Sequence, residues 1–305
     1  MTILVETRYG TMECIEGDSI VSKALMLYGE WAQLELDIVA RMVRPGDTVL
    51  DVGAFLGTHT LAFAHMVGNA GSVHSFEPRQ AIRQILSSNV ERNDLVQVRV
   101  HACALGSVPS EVDVRVLDTE TPQNFGGLAI EGVAADESAL TETLSIRRVD
   151  DFTFERLDFI KIDVEGMEAD VIHGGGHTLA THRPIIFAEC NDLANGSKTL
   201  RSCLDMRYVV YGVLSAAFNI DNFKHLADNI FLNASEASLL AIPQEKQAVM
   251  MQRINLAAFA RIDSLDAMSL LLLHKPQYVD EVLALTPAAV VLGIDFSSPL
   301  ARKRN

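Results

Sequence analysis

The chain has 305 residues, of which 49% are hydrophobic and 21% are charged, a balance typical of globular rather than disordered proteins. Its formal net charge of -15 disfavours nucleic acid and membrane surfaces as partners, because binding to phosphate groups requires clustered Lys and Arg. The four cysteines include no C-x-x-C pair, which disfavours a zinc site and predicts reduced, buried thiols. Because residues 1–10 lack the apolar core of a signal peptide, we expect a cytoplasmic protein.

The N-terminal part of the chain, residues 1–44, carries apolar residues at helical spacing between Ile20 and Met42. Such spacing is typical of amphipathic helices that pack on a core. We therefore predict an N-terminal helical segment that caps the domain.

Residues 45–240 alternate short β-branched runs with helical patterns, which predicts a mostly parallel sheet with helices on both faces. The predicted strands, in chain order, are Thr48–Val52, Ser72–Phe76, Val96–Ala104, Phe159–Val164, Ile185–Glu189, Tyr208–Leu214 and Asn229–Asn233. The predicted helices between them are Thr58–Val67, Ile82–Arg92 and one that begins at about Glu168.

Two regions depart from this alternation. Residues 107–143 are rich in Gly, Pro, Asp and Glu, and a loop this long in a compact domain is usually functional, so we predict a lid over the substrate. Residues 241–305 show helical patterns without a strand signal and predict a C-terminal helical extension, through which the chain could form a homo-oligomer. Charges interrupt the apolar stretch Leu256–Leu273, which favours a core or interface helix over a membrane span.

The strongest chemical signal is the run D-V-G-A-F-L-G at Asp51–Gly57, where the first predicted strand of the sheet meets a helix. Glycines in such a turn let backbone amides approach a ligand closely. Phe55 stands where a dinucleotide-binding fingerprint has its second glycine, and this disfavours a pyrophosphate. S-adenosylmethionine is an adenosine ligand without a pyrophosphate, and the turn suits it.

A second signal is Glu77, which ends the motif S-F-E-P after the second strand of the predicted sheet, 24 positions beyond Gly53 (77 minus 53). An acid at this place accepts hydrogen bonds from both hydroxyls of a ribose. Together with the glycine turn, Glu77 therefore predicts an adenosine-containing ligand.

A third signal is the run I-D-V-E-G-M-E at Ile162–Glu168, at the carboxyl end of a predicted strand. Ligands of open α/β sheets bind at these strand ends, so Asp163, Glu165 and the later Glu189 should face one crevice. We predict that these three are the catalytic residues, as candidates for the base that takes a proton from the acceptor. The same carboxylates could instead hold Mg²⁺, and helix capping is an alternative for Glu165 and Glu168.

In combination, these motifs resemble the FkbM family of methyltransferases. The runs V-L-D-V-G-A-F-L-G-T-H-T-L, F-E-P, F-I-K-I-D-V-E-G-M-E and P-I-I-F-A-E occur in the family's order, and Y-G-E-W at Tyr28–Trp31 and N-F-G-G at Asn124–Gly127 are also similar to it. The resemblance covers roughly residues 20–235. Two features depart from the family pattern: the extension past Pro243 has no counterpart, and Phe55 stands where the family usually has Asn.

The resemblance implies a Rossmann-like class I methyltransferase with a seven-stranded sheet and one bound S-adenosylmethionine. It assigns the turn to the amino-acid end of the cofactor, the start of the next helix to its carboxylate, and Glu77 to its ribose. The cofactor-binding residues predicted in this way are Tyr28, Glu30, Asp51, Gly53, Gly57, Thr58, His59, Thr60, Glu77, Pro78, Ala104 and Asp163. Core packing is the alternative for Tyr28, and an ordinary helix-start histidine is the alternative for His59.

The function predicted from the sequence is O-methylation of a hydroxyl on a sugar, polyketide or other small natural product. The acidity of the predicted lid disfavours an anionic acceptor. The alternatives are an N-methyltransferase, a nicotinamide-dependent oxidoreductase and a non-catalytic ligand-binding scaffold. Phe55 counts against the oxidoreductase, and the intact motif residues count against the scaffold.

Overall fold

The computed structural model describes residues 1–119, 121–130, 140–275 and 279, so part of the predicted lid and most of the predicted extension lie outside the described residues. The chain begins with an antiparallel hairpin, β1 (Thr2–Thr7) and β2 (Gly10–Ile15), followed by helices α1 (Val21–Tyr28) and α2 (Gln33–Val39). Both helices lie within the stretch predicted to be helical. The hairpin at residues 2–15 corrects the prediction that the N-terminal segment, residues 1–44, is helical.

The remaining described elements follow in chain order. They are β3 (Thr48–Val52), α3 (Thr58–Val67), β4 (Ser72–Phe76), α4 (Gln80–Arg92), β5 (Val98–His101), β6 (Ala104–Leu105), β7 (Ser110–Arg115), β8 (Thr141–Arg147), β9 (Phe159–Ile162), α5 (Glu168–Gly174), α6 (Gly176–His182), β10 (Ile185–Glu189), α7 (Leu193–Asp205), β11 (Tyr208–Ala216), β12 (Ser235–Pro243), α8 (Gln247–Met251), β13 (Ala260–Arg261) and α9 (Leu265–Leu272).

The central sheet has the strand order β13-β11-β12-β10-β9-β3-β4-β5. The five strands from β10 to β5 are parallel, whereas β12 runs antiparallel to both of its neighbours. This arrangement confirms the predicted α/β fold with a mostly parallel sheet. Within the described residues the sheet has eight strands rather than seven, because the two-residue β13 pairs with β11.

Successive residues of the central strands point into two different cores. Val49 belongs to a core formed with α3 and α4, and its neighbour Leu50 belongs to a core formed with α5 and α7. The strand β10 alternates in the same way, with Phe187 in the first core and Ile186 in the second. This period of two places helices on both faces of the sheet, as predicted.

Three further predictions need correction. The last long strand is β12, not Asn229–Asn233, where the Asn229 side chain instead bonds the backbone of Phe231 and Leu232 and closes a turn. The insertion 107–143 contributes β7 and β8, which with β6 form a separate three-stranded sheet. The C-terminal extension contains β13, which is too short for a periodic signal.

None of the helices in the described part of the chain has the length and apolarity needed to cross a membrane. All four cysteines are buried and free.

The N-terminal hairpin is attached to α4 by a fully buried amide. Asn89 accepts a hydrogen bond from the Glu13 backbone N–H at 2.5 Å and donates to the carbonyls of Glu13 and Leu56 at 3.0 and 2.9 Å. The same side chain therefore connects the hairpin to the turn after β3.

We expect Asn89→Ala to lower the free energy of unfolding by about 2–3 kcal/mol, because buried backbone groups lose their partner. Urea unfolding measures this change. Gln84→Ala, an exposed position on the same helix, serves as the control and should change the value by less than about 0.5 kcal/mol. Equal losses in the two variants would contradict the attachment.

Candidate active site

A cavity of about 270 Å³ lies at the carboxyl ends of the central parallel strands. It is lined by the residues that follow β3, β4, β9 and β10, namely Gly53–Phe55, Glu77–Arg79, Asp163–Glu165, Glu189 and Asn191. This is the edge of an open α/β sheet where ligands bind, because the loops that leave parallel strands converge there. The structure therefore brings together the three motifs on which the sequence-based site depends.

The turn between β3 and α3 needs glycine because it packs directly on the next strand. Gly53 has a φ of +81°, and a Cβ there would collide with the backbone carbonyl of Asp163. The backbone N–H groups of Gly53 and Ala54 both donate to the carbonyl of Phe76. Phe55 follows with a φ of +49°, a conformation uncommon for a bulky residue, and its side chain lines the cavity.

Glu77 presents a carboxylate whose two oxygens are both held by the backbone. One oxygen accepts from the N–H of Phe55 at 3.2 Å and the other from the N–H of Arg79 at 2.9 Å. Burial raises the pKa of Glu77 to about 7, although these two backbone hydrogen bonds act in the opposite direction. The carboxylate lines the cavity, where its remaining lone pairs can accept hydrogen bonds from a pair of neighbouring hydroxyls.

A buried lysine lies beneath the glycine turn. Lys161, within β9, is 5% exposed, and its Nζ lies 3.0 Å from the Asp163 carboxylate and 3.7 Å from that of Asp51. Burial by itself would lower the pKa of Lys161, but the two carboxylates hold it above its usual range. The ammonium therefore stays charged and orients Asp163 toward the cavity.

Three carboxylates meet beside this lysine: oxygen atoms of Asp163, Glu165 and Glu189 lie within 4.8 Å of one another. Burial would raise the pKa of Asp163, but Lys161 and a hydrogen bond with Glu189 hold it below its usual value. Burial and the charge of Asp163 raise the pKa of Glu189 well above its usual value. Ionisation is thus favoured at Asp163 and disfavoured at Glu189.

Glu165 differs from both neighbours. Its carboxylate makes no hydrogen bond to any residue in the described ranges, and its backbone has a φ of +50°. Burial, followed by the charges of Asp163 and Glu168, raises the pKa of Glu165 to about 7. A carboxylate with such a pKa near neutral pH is suited to accept a proton during a reaction.

The cluster does not fit the Mg²⁺ that the sequence left open as an alternative. Carboxylates at this spacing can hold a divalent cation. Here, however, the Lys161 ammonium lies 3.0 Å from Asp163, and Asp163 and Glu189 are hydrogen-bonded to each other. A cation at this place would face the lysine at close range, so a role in proton transfer fits the cluster better.

Seven of the twelve predicted cofactor residues line the cavity: Gly53, Thr58, His59, Glu77, Pro78, Ala104 and Asp163. The three predicted catalytic residues line it as well. His59 lies at the start of α3, where its Nε2 is 3.2 Å from a carboxylate oxygen of Glu35. These placements leave their predicted roles open to the tests below.

Asp51, Thr60 and Gly57 do not line the cavity, and their role in cofactor binding stays a prediction. Asp51 is fully buried, accepts a hydrogen bond from the Thr60 hydroxyl at 2.6 Å and faces Lys161 with its other oxygen. Gly57, with a φ of +95°, allows α3 to begin close to the Leu86 side chain. All three lie next to the turn between β3 and α3 without lining the cavity.

Tyr28 and Glu30 also lie away from the cavity and hold the connection between β11 and β12. The Tyr28 hydroxyl donates to the carbonyl of Asp228 at 2.8 Å. Glu30 is paired with Arg8 at 2.6 Å and accepts from the Phe223 backbone N–H at 2.8 Å. These contacts attach the start of the chain to that connection, and the role of both residues in cofactor binding stays a prediction.

Several cavity residues were missed by the sequence-based prediction, among them Trp31, Glu35, Arg79, Lys161, Asn191 and Glu236. Only Lys161 carries a visible signal, because a lysine in the middle of the apolar strand F-I-K-I requires a buried partner. The predicted lid contributes its motif N-F-G-G to the wall, where the Phe125 backbone N–H donates to Asp18 at 3.3 Å. Its role as a lid stays a prediction.

A family model described as the methyltransferase FkbM domain matches residues 51–229. The 2-O-methyltransferase NoeI of Sinorhizobium fredii is 27% identical in an alignment of 190 positions that covers 55% of this chain and 74% of that protein. The 31-O-demethyl-FK506 methyltransferase FkbM of Streptomyces tacrolimicus is 32% identical in an alignment of 162 positions that covers 43% of this chain and 60% of that protein. A crystal structure of methyltransferase FkbM from Methylobacillus flagellatus aligns at a TM-score of 0.42 and 17% identity, over 68% of this chain and 50% of that one.

The raised pKa of Glu165 predicts a pH-dependent stability. The folded chain keeps this proton up to about pH 7, whereas the unfolded chain loses it near the ordinary value of 4.5, so stability is lost as pH rises through 7. Relative to the wild type, Glu165→Gln should therefore gain about 2 kcal/mol of unfolding free energy between about pH 5 and pH 8.

Urea unfolding at the two pH values measures this gain. Glu155→Gln, at an exposed position, is the control and should show no such gain. If the unfolding free energies of both variants change with pH in the same way, the pKa of Glu165 is not raised by folding.

Proposed function

This chain belongs to the FkbM family of methyltransferases, and from that premise we propose that it transfers a methyl group from S-adenosylmethionine to a hydroxyl oxygen of an uncharged small molecule. One observation carries the proposal. Two glutamates line the same cavity but differ in their hydrogen bonds. Glu77 accepts from two backbone N–H groups, whereas Glu165 has no hydrogen-bond partner in the described ranges. Glu77 is suited to accept hydrogen bonds from the ribose hydroxyls, and Glu165 is suited to take the proton from the hydroxyl of the acceptor.

The cofactor would be held by residues from the turn after β3 and the turn after β4. Glu77 would accept hydrogen bonds from the ribose hydroxyls. Thr58 and His59 lie in the first turn of α3, where backbone N–H groups and the helix dipole favour a carboxylate such as that of the cofactor's amino-acid end. The cofactor supplies a methyl group already activated by the positive charge of its sulfur.

The chain's own contribution to the reaction is positioning and proton removal. Holding the acceptor oxygen in line with the methyl carbon and sulfur can contribute roughly 7–11 kcal/mol. As the oxygen–carbon bond forms and the carbon–sulfur bond breaks, Glu165 would accept the hydroxyl proton, a contribution of about 10²–10⁴-fold. Asp163 is paired with Lys161, and the pKa of Glu189 is raised well above its usual value by burial and by the charge of Asp163, so neither is as well suited to this step.

The charge of the cavity wall supports an uncharged acceptor. The acceptor side of the cavity is lined by Glu35, Asp163, Glu165, Glu189 and Glu236, with Lys161 as the buried counter-charge. An anionic acceptor would be repelled by this set. The names of the two relatives, a 2-O-methyltransferase and a 31-O-demethyl-FK506 methyltransferase, support oxygen as the methylated atom here.

Glu77→Ala tests the cofactor site. We expect its affinity for S-adenosylhomocysteine to fall by about 5- to 150-fold, equivalent to about 1–3 kcal/mol, because the ribose hydroxyls lose their acceptor. Isothermal titration calorimetry measures this change, and Glu91→Ala, at an exposed position on α4, is the matched control. An unchanged affinity would remove Glu77 from the cofactor site.

Glu165→Gln tests the base. We expect turnover to fall about 10²–10⁴-fold while the affinity for S-adenosylhomocysteine stays within about 2-fold, because the change removes a proton acceptor and leaves the cofactor contacts in place. Wild-type turnover should rise with pH and level off above about pH 7, as the pKa of about 7 at Glu165 requires.

The assay follows labelled methyl transfer to a panel of neutral sugars and polyketide alcohols. Full turnover by the Glu165→Gln variant would show that another group takes the proton. Methylation of amines but not of alcohols by the wild type would contradict the proposed acceptor.

A further inference from the structure

A second buried lysine, Lys275, belongs to the C-terminal extension and contacts two residues that line the acceptor side of the cavity. Its side chain is 0% exposed. Its Nζ donates to the Asn191 carbonyl oxygen at 2.6 Å and to a Glu236 carboxylate oxygen at 3.1 Å, and both partners line the cavity. Removing an ammonium from water costs several kcal/mol unless it is paired. The surrounding structure must therefore hold Lys275 within hydrogen-bond distance of these two partners.

The helix before Lys275 provides that place. Met268 and Leu272 of α9 are both 0% exposed. A Cβ at Gly212 of β11 would come within 2.8 Å of the Leu271 side chain, and one at Gly196 of α7 within 3.1 Å of the Met268 sulfur. The two glycines therefore let α9 pack directly on the sheet and on α7, and the chain then leads Lys275 to the cavity wall.

A chain of hydrogen bonds connects Lys275 with the acid cluster. The Asn191 amide nitrogen donates to a Glu189 carboxylate oxygen at 2.7 Å, and Glu189 is hydrogen-bonded to Asp163. An ammonium can only donate, so Lys275 requires the carbonyl oxygen of Asn191 and turns its amide N–H toward Glu189. The proton of Glu189 is then directed to Asp163, which leaves Glu165 as the carboxylate free to act as a base.

We propose that Lys275 is a positioning residue of the methyl-acceptor site, which acts through Asn191 and through its charge to keep Glu165 ready to accept a proton. The proposal rests on the proposed function and assigns the C-terminal extension to the active site. The formation of a homo-oligomer through the C-terminal extension stays a separate prediction.

Charged groups from several elements act on Glu165, and Lys275 supplies a positive charge among them. Asp163, Glu168 of α5, Glu236 of β12 and Lys275 act on it directly, and Glu189 of β10 lies in the same cluster. Glu35 of α2, His59 of α3 and Lys161 of β9 act in turn on Asp163, Lys161 or Glu236. The positive charge of Lys275 lowers the pKa of both Glu165 and Glu236. Without it, Glu165 would hold its proton to a higher pH.

The experiment compares Lys275→Met and Lys275→Arg with the wild type as full-length chains labelled with ¹³C at glutamate carboxyl groups. The Glu165 resonance is assigned by its loss in Glu165→Gln, and its titration midpoint is measured by NMR. We expect Lys275→Met to raise the midpoint by on the order of 1 pH unit, and Lys275→Arg to keep it near the wild-type value. The pH profile of turnover should move with it.

Lys246→Met is the matched control, because Lys246 donates at 2.6 Å to the Arg183 carbonyl and does not line the cavity. If Lys275→Met fails to fold, Asn191→Ala interrupts the same chain without removing the buried charge and should also change the Glu165 midpoint. A midpoint unchanged in a folded variant overturns this proposal.

The titration does not depend on turnover, so the two proposals can fail separately. A wild type that binds no S-adenosylhomocysteine and methylates no alcohol contradicts the proposed function even where the Glu165 midpoint moves. Turnover of alcohols with an unmoved midpoint contradicts only the role of Lys275.

Discussion

The site depends on one buried ion pair between adjacent strands of the central sheet. Lys161 of β9 lies between the carboxylates of Asp51 and Asp163, at 3.7 and 3.0 Å from its Nζ. Burying the charges of Lys161 and Asp51 is costly, and the cost is offset only because each has a partner of opposite charge and Asp51 also accepts from the Thr60 hydroxyl. The pair fixes Asp163 at the cavity, and the lysine also approaches the Gly53 carbonyl at 3.4 Å.

From this ion pair follows the division of roles in the acid cluster. The lysine keeps Asp163 ionised, and the charge of Asp163 in turn raises the pKa of both Glu189 and Glu165. Three carboxyl groups within 4.8 Å of one another thereby differ in their pKa: that of Asp163 is lowered, that of Glu189 is raised well above its usual value, and that of Glu165 is raised to about 7. Environments that push the pKa values of neighbouring acids apart are a common basis for acid and base chemistry in enzymes.

Both ends of the described chain contribute to the site in this methyltransferase. The N-terminal helices bring Trp31 and Glu35 to the cavity, and Tyr28 and Glu30 fasten these helices to the connection between β11 and β12. The C-terminal extension brings Lys275 into contact with Asn191 and Glu236 of the cavity wall. The ends of the central strands supply most of the cavity wall, and segments outside the sheet complete it.

The sequence by itself determined the βα alternation, the bounds of strands such as Ser72–Phe76 and Ile185–Glu189, and the glycine turn. These features depend on local patterns, since apolar periodicity and glycine conformation act within a few residues. The hairpin at residues 2–15, the two-residue β13 and the true position of β12 were missed, because they depend on pairing with distant strands and helices.

Only the tertiary structure decided how the surroundings of the three carboxylates differ and which predicted residues line the cavity. Sequence motifs placed Asp163, Glu165 and Glu189 at one edge of the sheet but could not distinguish them. Their protonation depends on burial and on charges remote in the chain; Lys275, for example, contacts an asparagine 84 positions away. A pKa is set by everything within a few ångströms of the group, and only the folded chain defines that neighbourhood.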